Sequence, residues 1–374
     1  MHFTTLILRN LFRRGVRTVL TVVGLSIGIA AVVTLLGIAW GFERSFLAIN
    51  ESKGIDLMVV RAGVSDKLTS NLDESVADSL RKVPGVKDVA GSLMDTVSFE
   101  EANLVSVLIN GWEPGSLLFH GIRVVKGRTL ERGDTKDAML GSVLATNLGK
   151  KVGDELKVAG EPFHVIGIFE SESLFENGGL IIPRTQLQKM MGREGNVTGF
   201  VVKAQKPDRP FIEEVRKRIE AAVPGVAAVP ARDYVQGDIR IRLVKSMAWA
   251  TSAIALILGS VGVLNTMMMT VFERTTEIGL LRALGWRRKR VLALIIGEAF
   301  ALGGAGAILG VILGYAGVNV LSRLPASSGF VSSHLPPEVI VVGIVLGMGL
   351  SLLGGLYPAL RGASLQPTEA LRHE

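Results

Sequence analysis

A chain of 374 residues in which 48% of side chains are hydrophobic and 20% charged cannot spread its apolar residues evenly, so they must lie in blocks. The formal charge of +7 is carried by basic residues that cluster beside those blocks, which favours membrane topology over nucleic-acid binding. With no cysteine the chain has no disulfide framework, and its redox compartment stays undetermined.

At the N-terminus Phe3, Leu6, Ile7 and Leu11 recur at helical spacing while Arg9, Arg13 and Arg17 advance on another face. Residues 1–17 therefore predict a cytoplasmic amphipathic helix in the inner headgroup layer; a plain positive flank would carry the same charges. Thr18–Phe42 follows as span one (18–42). It is too long for a signal-peptide core and no A-x-A site follows, so it reads as an uncleaved anchor. Within it, Gly24-Leu25-Ser26-Ile27-Gly28 formally matches G-x-S-x-G. That motif needs a strand-to-helix elbow with a nearby His and acid. Inside a span, Gly24 and Gly28 instead suit close helix packing.

Residues 43–245 predict a large extracytoplasmic α+β domain between spans one and two. Ile55–Arg61 is strand-like, Leu72–Val83 has helical periodicity, and Val83-Pro84-Gly85-Val86 ends it. The pattern returns in Gly199–Ala204, in Phe211–Val223 and in Val223-Pro224-Gly225-Val226. Two strand–helix–strand units of one split α/β domain explain this; chance similarity is the alternative. Between them Val105–Gly111, His164–Phe169 and Leu180–Ile182 predict a mainly β portion, with connections near Gly127–Leu130 and Gly149–Gly153.

Ser246–Phe272 (246–272), Val291–Ser322 (291–322) and Val339–Leu360 (339–360) predict spans two, three and four, each long enough to cross about 30 Å of hydrocarbon. The connection 273–290 holds Arg274, Arg282, Arg287, Arg288, Lys289 and Arg290 against only Glu273 and Glu277. Basic flanks place both termini, the tail 361–374 and this connection in the cytoplasm, and the short loop 323–338 outside. Gly306, Gly310 and Gly314 in span three, and Gly343, Gly347, Ser351 and Gly355 in span four, recur every four residues. Such rows let backbones approach, either within one subunit or between two. Glu298 is the only ionisable residue inside a span, open to a substrate or proton role, to interfacial solvation, or to pairing with an arginine.

Catalytic signals are weak. The five histidines are scattered and never at ligand spacing, so no metal is expected. No G-x-x-x-x-G-K-[ST] occurs, so the chain lacks the loop that holds ATP phosphates and is not expected to be an enzyme. The connection between spans two and three carries more. Ile278, Leu281 and Leu284 form an apolar stripe, Glu277 stands near the helix start, and Gly285 can end the helix before the arginine cluster.

Glu273-Arg274-Thr275-Thr276-Glu277-Ile278-Gly279-Leu280-Leu281-Arg282-Ala283-Leu284-Gly285 resembles the E-R-x-x-E-I-G-x-x-x-A-x-G signature of the FtsX-like and MacB-like ABC transporter permeases, the superfamily that includes LolC and LolE. Tyr357–Arg361 and Pro367–Arg372 are similar to that family's Y-P-A-x-x-A and P-x-E-A-L-R ending, and Arg17–Gly28 to its opening, with Leu25 in place of the usual Ile. The resemblance implies four transmembrane helices in the cell's inner, cytoplasmic membrane, with an outer domain of porter-like and mainly β subdomains. It also implies a second permease copy, identical or not, and a separate ABC ATPase that binds ATP and Mg; this chain itself binds no cofactor. A periplasmic adaptor and membrane lipids are further candidate partners. Under this resemblance Glu273, Arg274, Glu277, Ile278, Gly279, Leu281, Arg282, Ala283, Leu284 and Gly285 are the ATPase-coupling residues. The expected function is mechanotransmission, coupling a partner's ATP hydrolysis to export or extraction of an amphipathic lipid, lipoprotein, peptide or drug. The alternative is an FtsX-type signalling subunit that regulates an outer partner such as a cell-wall hydrolase.

Overall fold

The computed structural model describes residues 15–64, 69–324 and 335–365. The expected N-terminal helix, apart from its last residues, and the Pro367–Arg372 motif lie outside the described residues. The chain divides into two compact units, one holding the apolar helices (1–40, 244–320 and 333–374) and one built mainly from 41–243.

Among the described residues four helices are long and apolar enough to cross a membrane: Gly15–Lys53, Ile239–Glu273, Arg288–Ser322 and Pro337–Ser364. Their interior is formed by Leu25, Ile29, Val33, Val263, Met267, Ile295 and Ala307. The outward faces remain apolar, with Ile254, Ile257, Leu258, Ile308, Ile312 and Val345 exposed, as helices solvated by lipid require. Polar side chains bridge spans: the Thr21 hydroxyl meets that of Thr266 at 3.1 Å, and the Thr34 hydroxyl donates to the Gly314 carbonyl at 3.3 Å.

The second unit is built on a ten-stranded winding sheet and a separate two-stranded one, with helices on them. Its strands are β1 (Leu57–Arg61), β2 (Leu72–Asp73), β3 (Val86–Phe99), β4 (Leu104–Trp112), β5 (Arg123–Gly127), β6 (Asp137–Gly141), β7 (Glu155–Val158), β8 (Glu161–Glu170), β9 (Leu180–Pro183), β10 (Asn196–Val197), β11 (Gly199–Ala204) and β12 (Val226–Pro230). The main path runs β12-β1-β11-β3-β4-β9-β6-β8-β5, with β7 paired to β8. Each of the first four strands of that path is antiparallel to its neighbours among the four, and β1 sits between β11 and β12. The two strand–helix–strand units therefore interleave, each lending a strand to the middle of the other. Helices Val76–Arg81 and Arg209–Ala222 complete this subdomain, burying Leu80, Val215 and Ile219 against Leu57, Val59, Phe200 and Val202.

The repeated Val-Pro-Gly-Val turns occur as expected after both helices. Gly85 (φ +99°) and Gly225 (φ +81°) both adopt the left-handed region that glycine enters at low cost. The first helix is shorter than its periodicity suggests. Asp73 Oδ1 accepts from the Ser75 amide at 2.8 Å, a local turn that competes with helix, and Leu72–Asp73 pairs instead with β10.

The mainly β portion packs around Leu93, Ile109, Leu140, Phe163, Leu180 and Ile182. It is not purely antiparallel, since β4 runs parallel to β9 and β6 parallel to β8. The 14-residue β3 serves both subdomains: Val86–Ser92 pairs with β11 and Leu93–Phe99 with β4.

Candidate ATPase-coupling site

The basic connection folds as a short helix, Thr275–Ala283, capped by Arg274 and closed by Leu284 and Gly285 (φ +91°). Its start is tied down by charge. Arg17 Nη1 lies 2.8 Å from Glu273 Oε2, Arg274 Nε 3.0 Å from Glu277 Oε2, and Arg274 Nη1 2.8 Å from Glu298 Oε1. Glu298 is only 3% exposed, so of the readings open to it in sequence, pairing with an arginine is the one the geometry displays. The sequence leaves pairing of Glu298 with an arginine open without saying which, its partner lying 24 positions away, and gives no sign of Arg17, whose partner lies 256 positions away.

The apolar stripe expected along Ile278, Leu281 and Leu284 is divided. Ile278 is 2% exposed and belongs to the interior of the helical unit, and Gly279 is buried beside it. Leu281 and Arg282 are half-buried, whereas Leu280 (53%) and Leu284 (72%) are exposed together with Glu277 and Ala283. The reason is that the segment is apolar on two sides: Ile278 faces the bundle, and Leu280 and Leu284, one turn apart, share another face. The open face is thus Glu277, Leu280, Ala283 and Leu284, and Leu280 is a residue the sequence stripe missed. Beyond the helix, Arg282 Nη1 donates to the Trp286 carbonyl at 3.3 Å, and Arg290 lies over the Trp286 ring at 5.2 Å.

The small residues of the spans differ among themselves. A Cβ added at Gly306 would meet Leu25 Cδ2 at 2.7 Å, at Gly310 Ile29 Cβ at 2.7 Å, and at Gly314 Val33 Cβ at 2.8 Å. At Gly343 it would meet Val33 at 2.6 Å, at Gly347 Ile29 at 2.5 Å, and at Gly355 Ala299 at 2.5 Å. The rows of spans three and four therefore receive side chains from other helices of the same chain. Gly28 has only the Ala255 carbonyl at 3.4 Å, and Gly24 has nothing within 4 Å, because that turn of span one presents Leu25, not Gly24, to span three. Among the described residues no group of three or more potential metal ligands occurs.

Four apolar helices, a split α/β domain between the first two, and a charge-anchored basic helix between the second and third define a multi-pass membrane protein of the permease class. The model of the MacB-like periplasmic core domain matches residues 18–222, and that of the FtsX-like permease C-terminal region matches 249–367. The chain belongs to this family of ABC transporter permeases. It is 26% identical to an uncharacterised ABC transporter permease of Methanocaldococcus jannaschii, covering 99% of this chain and 97% of that one. It is also 26% identical to the macrolide export ATP-binding/permease protein MacB of Bdellovibrio bacteriovorus, over 98% of this chain but 61% of that protein. The chain thus spans about three fifths of that MacB relative. Among solved structures, the extracellular domain of the noncanonical ABC-type transporter YknZ from Gram-positive bacteria matches 47% of this chain and 98% of its own, at 17% identity and a TM-score of 0.37.

Proposed function

We propose that this chain is the transmembrane subunit of a mechanotransmitting ABC transporter in a cytoplasmic membrane. An ABC ATPase, which binds ATP and Mg, docks on the Glu277–Leu284 helix. The observation that carries the reading is the exposed pair Leu280 and Leu284 on a helix whose base is fixed by the Arg17–Glu273 and Arg274–Glu298 ion pairs. Exposed leucines one turn apart offer a partner an apolar foothold, and the ion pairs give a push on that foothold a stiff route into spans one and three. Basic flanks put this helix and both termini in the cytoplasm and the domain between spans one and two outside. Cargo is an amphipathic molecule taken up by that outer domain, and the working unit contains two permease copies.

Replacing Leu280 and Leu284 by Asp is expected to abolish co-purification of the ATPase and ATP-coupled release, while the thermal melt of the chain stays unchanged. Undiminished ATPase capture by that variant would sink the assignment. The same coupling could drive an outer signalling partner; reconstitution with ATPase alone separates the two, since an exporter moves cargo without any such partner.

A further inference from the structure

We propose that the unit between spans one and two contains a binding site for a neutral amphiphile: one hydrocarbon body carrying a hydroxyl or amide head and no net charge. The site is a cavity of about 720 Å³, large enough for a drug-sized or single-chain molecule. The inference deepens the export reading and rests on it only in taking the ligand to be cargo.

The apolar wall is aromatic. Phe42, Phe46 and Phe175 line the cavity and pack on one another, Phe42 edge-on to Phe175 at 4.6 Å and Phe46 against Phe175 at 4.1 Å between centroids. Such a cluster accepts a hydrocarbon body without asking for direction or hydrogen bonds.

The polar wall is built around Lys53. Its ammonium is 1% exposed, lies 3.1 Å from Glu176 Oε1, donates to the Leu118 and His120 carbonyls, and sits 4.7 Å from the centre of the Trp112 ring. Lys53 is therefore satisfied. Its neighbours are not: among the described residues Glu176 Oε2 and Trp112 Nε1 have no hydrogen-bond partner, although both residues are only 3% exposed and both line the cavity. A buried acceptor and a buried donor left open cost free energy until something pairs with them, and a hydroxyl or amide head offers both complements at once.

Charge decides among amphiphiles. The cavity is lined by two cations, Lys53 and Arg240, and two anions, Glu176 and Asp238, so the wall has no net charge. A carboxylate head would add an anion beside Glu176, and an ammonium head would compete with Lys53 for a carboxylate already held. Either would bring an unbalanced charge out of water, whereas a neutral head brings none.

The test uses the full chain in lipid nanodiscs and a monoacylglycerol bearing a photoreactive acyl chain. Saturable labelling of peptides containing Phe46 or Phe175 is expected, displaced by unmodified monoolein at concentrations at least about tenfold below those needed for oleate or oleylamine. Ile49→Trp, which fills the cavity from its wall, is expected to remove the labelling, and Phe175→Ala to weaken it, each with an unchanged thermal melt. Unsaturable labelling, labelling confined to the spans, or equal displacement by the charged analogues overturns the proposal. If Ile49→Trp fails to fold, displacement by the three competitors on the unaltered chain decides the matter alone. ATPase capture is scored on the same preparations: no cavity labelling with capture intact overturns the site and leaves the permease reading, while cavity labelling without capture does the reverse.

Discussion

Arg274, at the N-cap of the short basic helix, and Glu298, in span three, form an ion pair of 2.8 Å in which the side chains are only 11% and 3% exposed. Arg274 also holds Glu277, so one guanidinium joins the helix Thr275–Ala283 to a membrane span. Leaving either charge buried alone is costly, so Glu298→Ala and Arg274→Ala are each expected to destabilise the chain by about 3–5 kcal/mol. The double variant Arg274→Met/Glu298→Leu should lose clearly less than the sum. Additive losses in thermal melts would show that the two groups do not act as a pair.

The division of the basic helix into an inner and an outer face makes a second contrast. Ile278→Asp places a charge in the interior and is expected to lower the melting temperature sharply, whereas Leu280→Asp should leave it within a few degrees and affect only ATPase capture. The reverse order would mean that the helix presents Ile278 outward.

Glycines of the spans should separate by contact. Gly310→Ala and Gly314→Ala drive a methyl into Ile29 and Val33 and are expected to cost about 1–3 kcal/mol, while Gly24→Ala, with open space around it, should be neutral or slightly stabilising. Melts of the three variants in one detergent check this, and equal effects at all three positions would refute it.

In the unit between spans one and two, Asp134 accepts from Arg128 Nη1 at 2.7 Å and Nη2 at 3.0 Å, and this fork holds its carboxyl below the ordinary range. A depressed carboxyl stabilises the folded state above its unfolded pKa of about 3.9, and that contribution fades as pH falls through the folded value. Asp134→Asn should therefore lower stability at pH 7 and make progressively less difference below about pH 4. A constant difference across that range in denaturation curves would rule the linkage out.

What the sequence disclosed follows from the range of the forces involved. Spans are local: their hydropathy blocks mark four helices, and the twin Val-Pro-Gly-Val signals mark two turns that recur in the structure. Placing β1 between β11 and β12 depends on pairings more than a hundred positions apart, which leave no trace in local pattern. The same holds at the basic helix. Glu277 near its start and Gly285 at its end were readable, but Ile278 and Leu280 are equally apolar, and only the packed bundle says which one faces inward.

Among the described residues β1 pairs with no strands other than β11 and β12, the first of which begins at Gly199. During synthesis an apolar strand that starts at Leu57 must therefore wait for its first neighbour while well over a hundred residues are added, on the order of 10–30 s at ribosomal speeds. For that time it is an unclaimed edge, open to any other nascent chain at the membrane surface. The interleaving that locks the finished domain thus makes its birth the most aggregation-exposed moment, and the newly emerged segment a natural client for a holding chaperone.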